Sequence, residues 1–130
     1  MKTIIAALAL SGGLFIGVRV TEAQSCRANF GGIYVFAGSG VKPSGNAFSA
    51  IAYFFVNAAT FTFDVQAGIN ERNVGVFFPS DTERPWGWTG PCQVFWDRAA
   101  FVGVVSADGN FISFVTFDDT EQMAGIAIRQ

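Results

Sequence analysis

The sequence predicts an all-β protein, an antiparallel closed barrel of eight or nine strands. Glycine and proline divide the chain at short intervals, and aromatic and β-branched residues fill the stretches between them. Residues 60–69 alternate between apolar and polar side chains, which is typical of a half-buried strand. We prefer a barrel to its alternative, a β-sandwich, because closure removes the sheet edges that would otherwise promote aggregation.

Residues 1–23 are predicted to be a secretory signal peptide, and residues 24–130 a single barrel domain. Lys2 supplies a positive start, residues 4–18 are an apolar run, and Thr21-Glu22-Ala23 resembles a cleavage site. The run is shorter than the roughly 20 residues of a membrane helix, so we expect no membrane span after cleavage. We therefore expect a secreted or periplasmic protein, with lipidation of Cys26 as an alternative.

The chain has two cysteines, Cys26 and Cys92. In an exported protein this pair predicts a structural disulfide that holds the N-terminus of the domain. A redox or metal-binding pair would need a C-x-x-C spacing or histidine partners, and the sequence has neither.

The strands are predicted where apolar residues run between turn signals. In residues 60–69, the side chains of Phe61, Phe63, Val65, Ala67 and Ile69 share the inner face. Asp108-Gly109 predicts a tight hairpin, residues 38–46 and 79–85 are predicted loops, and residues 118–121 the last turn. The predicted strands are 30–37, 47–56, 60–69, 74–78, 86–89, 93–96, 101–106, 111–117 and 123–129.

The composition excludes several function classes. The net charge is −2 and the chain has no histidine, so neither a basic nucleic-acid-binding face nor histidine-dependent catalysis is expected. No nucleophile motif, phosphate-binding glycine loop or calcium-loop spacing occurs, and the acidic residues at 81–83 and 118–121 are interpreted as solvated turns. We therefore expect no enzyme activity, cofactor or metal. An isomerase or cyclase that acts by confinement stays an alternative that no residue pattern selects.

Aromatic residues supply the candidate ligand-binding site. Trp86 and Trp88 are two apart on a predicted strand, so they share a face, and Trp96 lies on the next strand. Tyr34 and Tyr53 complete the candidate set. The alternative interpretation is that the indoles plug one end of the barrel or shield the disulfide.

The phenylalanine content is unusual, with fifteen in the chain. The lumen of an eight-stranded barrel cannot hold so many rings, so some must face outward. In the adjacent pairs Phe54-Phe55 and Phe77-Phe78, one ring of each pair must point away from the other. Outward rings favour a homo-oligomer or another apolar partner. A membrane-spanning barrel is the weaker alternative, because several predicted strands are too short.

The chain also resembles a loose group of small exported bacterial proteins of unassigned function. The resemblance rests on Cys26, the Gly-x-Tyr-x-Phe strand at Gly32–Phe36, Cys92, and the closing Gly-x-Ala-x-Arg-Gln of residues 125–130. The resemblance implies a lipocalin-like barrel, and it implies no activity and no catalytic residue. Trp86-Gly87-Trp88 departs from the Gly-Thr-Tyr strand of the group.

Two functions follow as hypotheses. The first is a secreted, non-enzymatic barrel that binds a small apolar or aromatic ligand, or an apolar partner surface. The second is a structural or adhesive protein with a filled barrel that self-associates through exposed phenylalanines. An enclosed cavity of several hundred Å³ would favour the first, and a packed interior the second.

Overall fold

The computed structural model describes residues 25–96, 101–116 and 122–130. These residues form nine β-strands and a single helical turn at residues 25–29. Every strand pairing is antiparallel. The strands are β1 (Gly32–Val41), β2 (Ala47–Asn57), β3 (Thr62–Glu71), β4 (Gly75–Phe77), β5 (Ser80–Trp88), β6 (Gln93–Trp96), β7 (Phe101–Val105), β8 (Phe111–Thr116) and β9 (Gln122–Arg129).

Eight of the strands close into a barrel, which confirms the predicted fold class. The order runs β1, β2, β3, β5, β6, β7, β8 and β9, and β9 pairs with β1 to complete the circle. The ninth strand, β4, lies outside the circle and pairs with the end of β3, where Ile69 is opposite Phe77. In β2 the odd-numbered residues are exposed, while the even-numbered residues point inward.

Two predicted loops are partly wrong, because residues 38–41 and 80–85 lie in strands, whereas residues 42–46 connect β1 to β2 as predicted. Gly38 to Val41 continue β1 and pair with β2 and β9, and the charged stretch from Ser80 onward is the first half of β5 and pairs with β3. In both segments the hydrogen bonds to neighbouring strands outweigh local turn propensity. Gly40 suits its position, because a Cβ there would lie within 2 Å of the Gln122 carbonyl oxygen on β9.

Phe61 and residues 25–29 also differ from expectation. Phe61 was expected on the inner face of β3, but it lies in the preceding turn with a positive φ of 56° and an exposed ring. The helical turn at residues 25–29 is too short to give a periodic signal in the sequence. The predicted signal peptide and the predicted turn at 118–121 lie outside the described residues.

The predicted disulfide between Cys26 and Cys92 is confirmed, with Cα atoms 5.8 Å apart. It fastens the helical turn to the segment that precedes β6, and Cys26 is completely buried. Within the described ranges, no helix has the length and apolar character needed to cross a membrane.

Candidate ligand-binding cavity

One end of the barrel, which we call the closed end, is filled by aromatic rings. Phe30, which follows the helical turn, makes edge-to-face contacts with Trp86 and Trp88 at centroid distances of 4.7 and 5.2 Å. The indole nitrogen of Trp86 donates a hydrogen bond to the Thr62 carbonyl oxygen at 3.1 Å. The Arg27 guanidinium lies 5.2 Å from the centre of a Trp88 ring. The described aromatic side chains at this end therefore pack against one another.

Tyr34 joins the closed end to the β7–β8 hairpin. Its hydroxyl donates to the Gly109 carbonyl oxygen at 2.6 Å and accepts from the Gly31 N–H at 3.3 Å. Burial of the hydroxyl raises the pKa of Tyr34 above its usual value, because the phenolate would lose its hydration. Tyr34 therefore holds backbone segments together at this end.

The opposite half of the lumen contains a cavity of about 160 Å³. Its wall is mostly apolar, and its polar side chains are Asp81 and Arg84. The lining residues are Phe36, Phe48, Ala50, Ala52, Phe54, Phe63, Val65, Ala67, Ile69, Asp81, Arg84, Trp96, Phe101, Phe114 and Met123. The volume is smaller than the several hundred Å³ that we set as favouring ligand binding, yet the interior is not fully packed.

Small side chains on β2 and β3 create the space. Ala50 and Ala52 point inward on β2, and Ala67 lies directly opposite Ala52 on β3. On β2 the inward series is Phe48, Ala50, Ala52 and Phe54, so two large rings flank two methyl groups. The cavity exists because no inward side chain from these positions reaches the middle of the lumen.

The aromatic side chains of the wall brace one another in tilted and edge-to-face contacts. Phe114 lies 5.4 Å from Phe36 and 4.7 Å from Trp96, and Phe54 lies 5.8 Å from both Phe36 and Phe63. Such pairs stabilise one another beyond the area that they bury. The side chains of the wall therefore hold one another in place.

A β-bulge places an ion pair at the rim of the cavity. Phe63 is opposite Arg84 and Val65 is opposite Asp81, so β5 contains one more residue than β3 over this stretch. The bulge turns both Asp81 and Arg84 toward the cavity, and their side chains form an ion pair at 3.3 Å. Glu83 has a positive φ of 55° in the bulge, and its N–H donates to the Asp64 carboxylate at 2.8 Å. The acidic residues at 81–83 are therefore on a strand, and their interpretation as turn residues is wrong.

The structure separates the five predicted ligand-binding residues. Trp96 lines the cavity, whereas Tyr34, Trp86 and Trp88 belong to the closed end. Tyr53 is on the outer face of β2 with half of its surface exposed, beside Phe55 at 6.5 Å. Most of the lining was absent from the predicted set, although the large–small–small–large pattern from Phe48 to Phe54 was a signal for it.

The cavity has an apolar wall with one ion pair among its lining residues. In the part of the chain that the structure describes, no three cysteine or acidic side chains gather where they could hold a metal ion. Comparison with protein-family models, with curated proteins and with solved structures finds no match to this chain.

Proposed function

We propose that this protein is an extracytoplasmic, non-enzymatic carrier or sensor of a small apolar or aromatic molecule. The observation that carries the proposal is the cavity of about 160 Å³ lined by aromatic rings and alanine methyl groups. An engineered apolar cavity of about 150 Å³ in another protein stays dry and binds benzene. The ligand class is therefore a single ring or a compound of similar size, and steroids and fatty acids are too large.

The apolar lining of the cavity favours the binding of an apolar guest. A void of this size lacks the dispersion contacts that a filled core would have, so an apolar guest gains contacts and loses water contacts on entry. The Asp81–Arg84 ion pair lies at the rim and the rest of the wall is apolar. A charged guest would lose hydration without a matching partner deeper in the cavity.

Benzene titration of the full chain tests the proposal. We expect saturable binding, followed by NMR through the methyl signals of Ala52 and Ala67, and no binding by the Ala67→Leu variant, whose side chain enters the cavity. Ala47→Leu is the matched control, because Ala47 is exposed at the start of β2. The proposal fails if the wild-type protein does not bind benzene, or if Ala67→Leu binds it equally well.

The proposed extracytoplasmic location is supported by the predicted signal peptide and by the disulfide. A cystine bridge persists in oxidising compartments and is rare in the cytosol. Mass spectrometry of the protein recovered from its host is expected to find a chain that lacks residues 1–23 and has an intact Cys26–Cys92 bridge. A cytosolic protein that retains residues 1–23 would refute this part of the proposal.

A second candidate function, self-association, is favoured by the apolar outer face of β2, β1, β9 and β8. Apolar side chains from neighbouring strands lie side by side there, with Ile33 opposite Phe55 and Phe111 opposite Ile128. None of the outward residues on these four strands carries a charge. The large members are Ile33, Ile51, Tyr53, Phe55, Phe111, Ile126 and Ile128, each between 37 and 66% exposed.

We propose that a second copy of this chain covers this face. Its seven large side chains expose about 700 Å² together, if a whole side chain of this kind presents roughly 200 Å². Stable dimers bury about 800 Å² on each partner, so the face is close to the size that a symmetric pair needs. A shared uncharged surface lets two identical faces meet without repulsion.

Light scattering on the purified protein tests this pairing. We expect a dimer for the wild type and a monomer for Ile126→Lys, which places a charge on the face. Gln93→Lys is the control, because Gln93 is exposed on β6, which β7 separates from β8, and we expect it to remain dimeric. A wild-type protein that is monomeric at high concentration would exclude self-association.

A further inference from the structure

Gly103 lies in the interior of β7, at a position where a side chain would point into the barrel. It is buried, and it is paired with Val94 of β6 and Phe114 of β8. Glycine weakens the interior of a strand, because it has no side chain to pack against its neighbours. An interior glycine therefore often marks a place where another group approaches the backbone closely.

Two rings of the cavity wall occupy the place of the missing side chain. A Cβ on Gly103 would lie 3.0 Å from Cζ3 of Trp96 and 3.1 Å from Cδ1 of Phe114. Packed carbon atoms lie about 3.5–4.0 Å apart, so both rings rest directly on the glycine. The third near atom, at 2.9 Å, is Cγ2 of the buried Ile112. Trp96 and Phe114 line the cavity and Gly103 does not, so the rings lie between this glycine and the empty volume.

The contacts among the wall rings leave the cavity as the space into which these two rings can move. Five rings form a closed circle in which each contacts the next at centroid distances of 4.7–6.2 Å, namely Phe36, Phe54, Phe63, Trp96 and Phe114. Phe63 blocks sideways movement of Trp96, and Phe36 blocks that of Phe114. A methyl group on Gly103 would therefore press both rings into the empty volume and make the cavity smaller.

We propose that Gly103 is a specificity-determining residue, which lets the cavity accept a guest one methyl group larger than benzene. This inference rests on the proposed function, since it assigns the size selectivity of the same site. Gly38 and Gly125 also lie against a wall ring, that of Phe36, but a Cβ at either would come within 2.8 Å of a backbone carbonyl oxygen. At Gly103 the three nearest atoms all belong to side chains, so a methyl group there acts on the cavity wall and not on the sheet.

Benzene and toluene test the inference, because they differ by one methyl group. The affinity ratio of the two probes is measured by NMR titration of the wild type and of Gly103→Ala, and the ratio cancels any loss that both probes share. Gly87→Ala is the matched control. A Cβ on Gly87 would lie 2.7 Å from the ring of Phe95, its partner on β6, and this ring does not line the cavity. Both variants thus add a methyl group beneath an aromatic ring, but only Gly103→Ala acts on the cavity wall.

We expect Gly103→Ala to shift the ratio about tenfold against toluene, the lower end of the discrimination that an apolar pocket makes for one carbon group. Gly87→Ala is expected to leave the ratio unchanged. In the wild type, nuclear Overhauser effects are expected between bound toluene and the ring protons of Trp96 and Phe114, because both rings form the wall that Gly103 positions.

The outcomes separate this inference from the proposed function. If both probes bind to the wild type and the ratio is the same in Gly103→Ala, the inference is wrong and the proposed function stands. The inference is also refuted if the wild type binds benzene but not toluene, or if Gly87→Ala shifts the ratio equally. If neither probe binds to the wild type, the proposed function itself fails.

Near-ultraviolet circular dichroism of the oxidised Gly103→Ala protein verifies that it is folded. If it is not, the wild-type spectra decide. Overhauser effects from toluene to the Trp96 and Phe114 rings then support the inference, and bound toluene that shows none to either ring overturns it.

Discussion

Replacing Ala67 by leucine should make the protein more stable, although larger side chains in a core usually destabilise it. Ala67 points inward on β3, opposite Ala52, and lines the cavity of about 160 Å³. Leucine adds three carbon groups, which would enter empty space instead of displacing neighbouring side chains. The expected sign follows from the presence of this space.

The magnitude can be obtained in two ways. Burying three carbon groups at about 0.8 kcal/mol each gives about 2.4 kcal/mol, from which the lost rotamer freedom of leucine removes about 0.5–1 kcal/mol. Filling half of the cavity at about 24 cal/mol per Å³ gives about 2 kcal/mol. Both routes lead to an increase of about 1.5–2 kcal/mol in the free energy of unfolding.

Urea unfolding of the oxidised protein measures this change. We expect a higher midpoint with an unchanged slope, and a change within about 0.5 kcal/mol for the exposed control Ala47→Leu. A loss of more than about 1 kcal/mol in Ala67→Leu would mean that the added atoms clash with the wall. The reasoning from an empty cavity would then be wrong, and with it the space assigned to a ligand.

Two further predictions concern the closed end. Replacing Cys26 and Cys92 together by alanine is expected to lower the free energy of unfolding by about 4 kcal/mol, because the bridge closes a loop with a sequence separation of 66. Urea unfolding of the variant measures this loss. Tyr34→Phe removes a hydrogen bond to the Gly109 carbonyl oxygen and should cost about 2 kcal/mol at neutral pH. The pKa of Tyr34 is higher in the folded protein than in the unfolded chain, where it is about 10. The stabilisation by the protonated hydroxyl is therefore complete below about pH 10 and is lost as the pH rises through the folded pKa. Stability measured across alkaline pH should therefore fall less steeply in Tyr34→Phe, and an identical slope in both proteins would refute the assignment.

The strand pattern and the inner face of β3 were predictable from the sequence. Phe63, Val65, Ala67 and Ile69 were expected on one face, and all four line the cavity. Alternation with a period of two is a local property of an extended chain, so it can be recognised without knowledge of the partner strands. The disulfide was predictable for another reason, since the two cysteines of a chain that is predicted to be exported allow a single pairing.

The outward placement of part of the phenylalanine content was predictable from volume. Phe55 and Phe111 are exposed on the outside of the barrel, while Phe36 and Phe114 face the lumen. Which ring takes which side follows from the strand register. That register depends on where each strand begins, and the extension of β1 to Val41 shows how local composition misplaces such a boundary.

What the sequence by itself determined is the alternation of its strands, the cystine pair and the excess of rings over lumen volume. Only the tertiary structure decided that Trp86 and Trp88 lie at the closed end while Trp96 lines the cavity. It also decided that a bulge turns Asp81 and Arg84 toward the cavity. The reason is physical. Side-chain direction is set by neighbouring residues along a strand, whereas empty volume is what remains after inward side chains from all eight strands have met, and no single segment of the chain encodes that remainder.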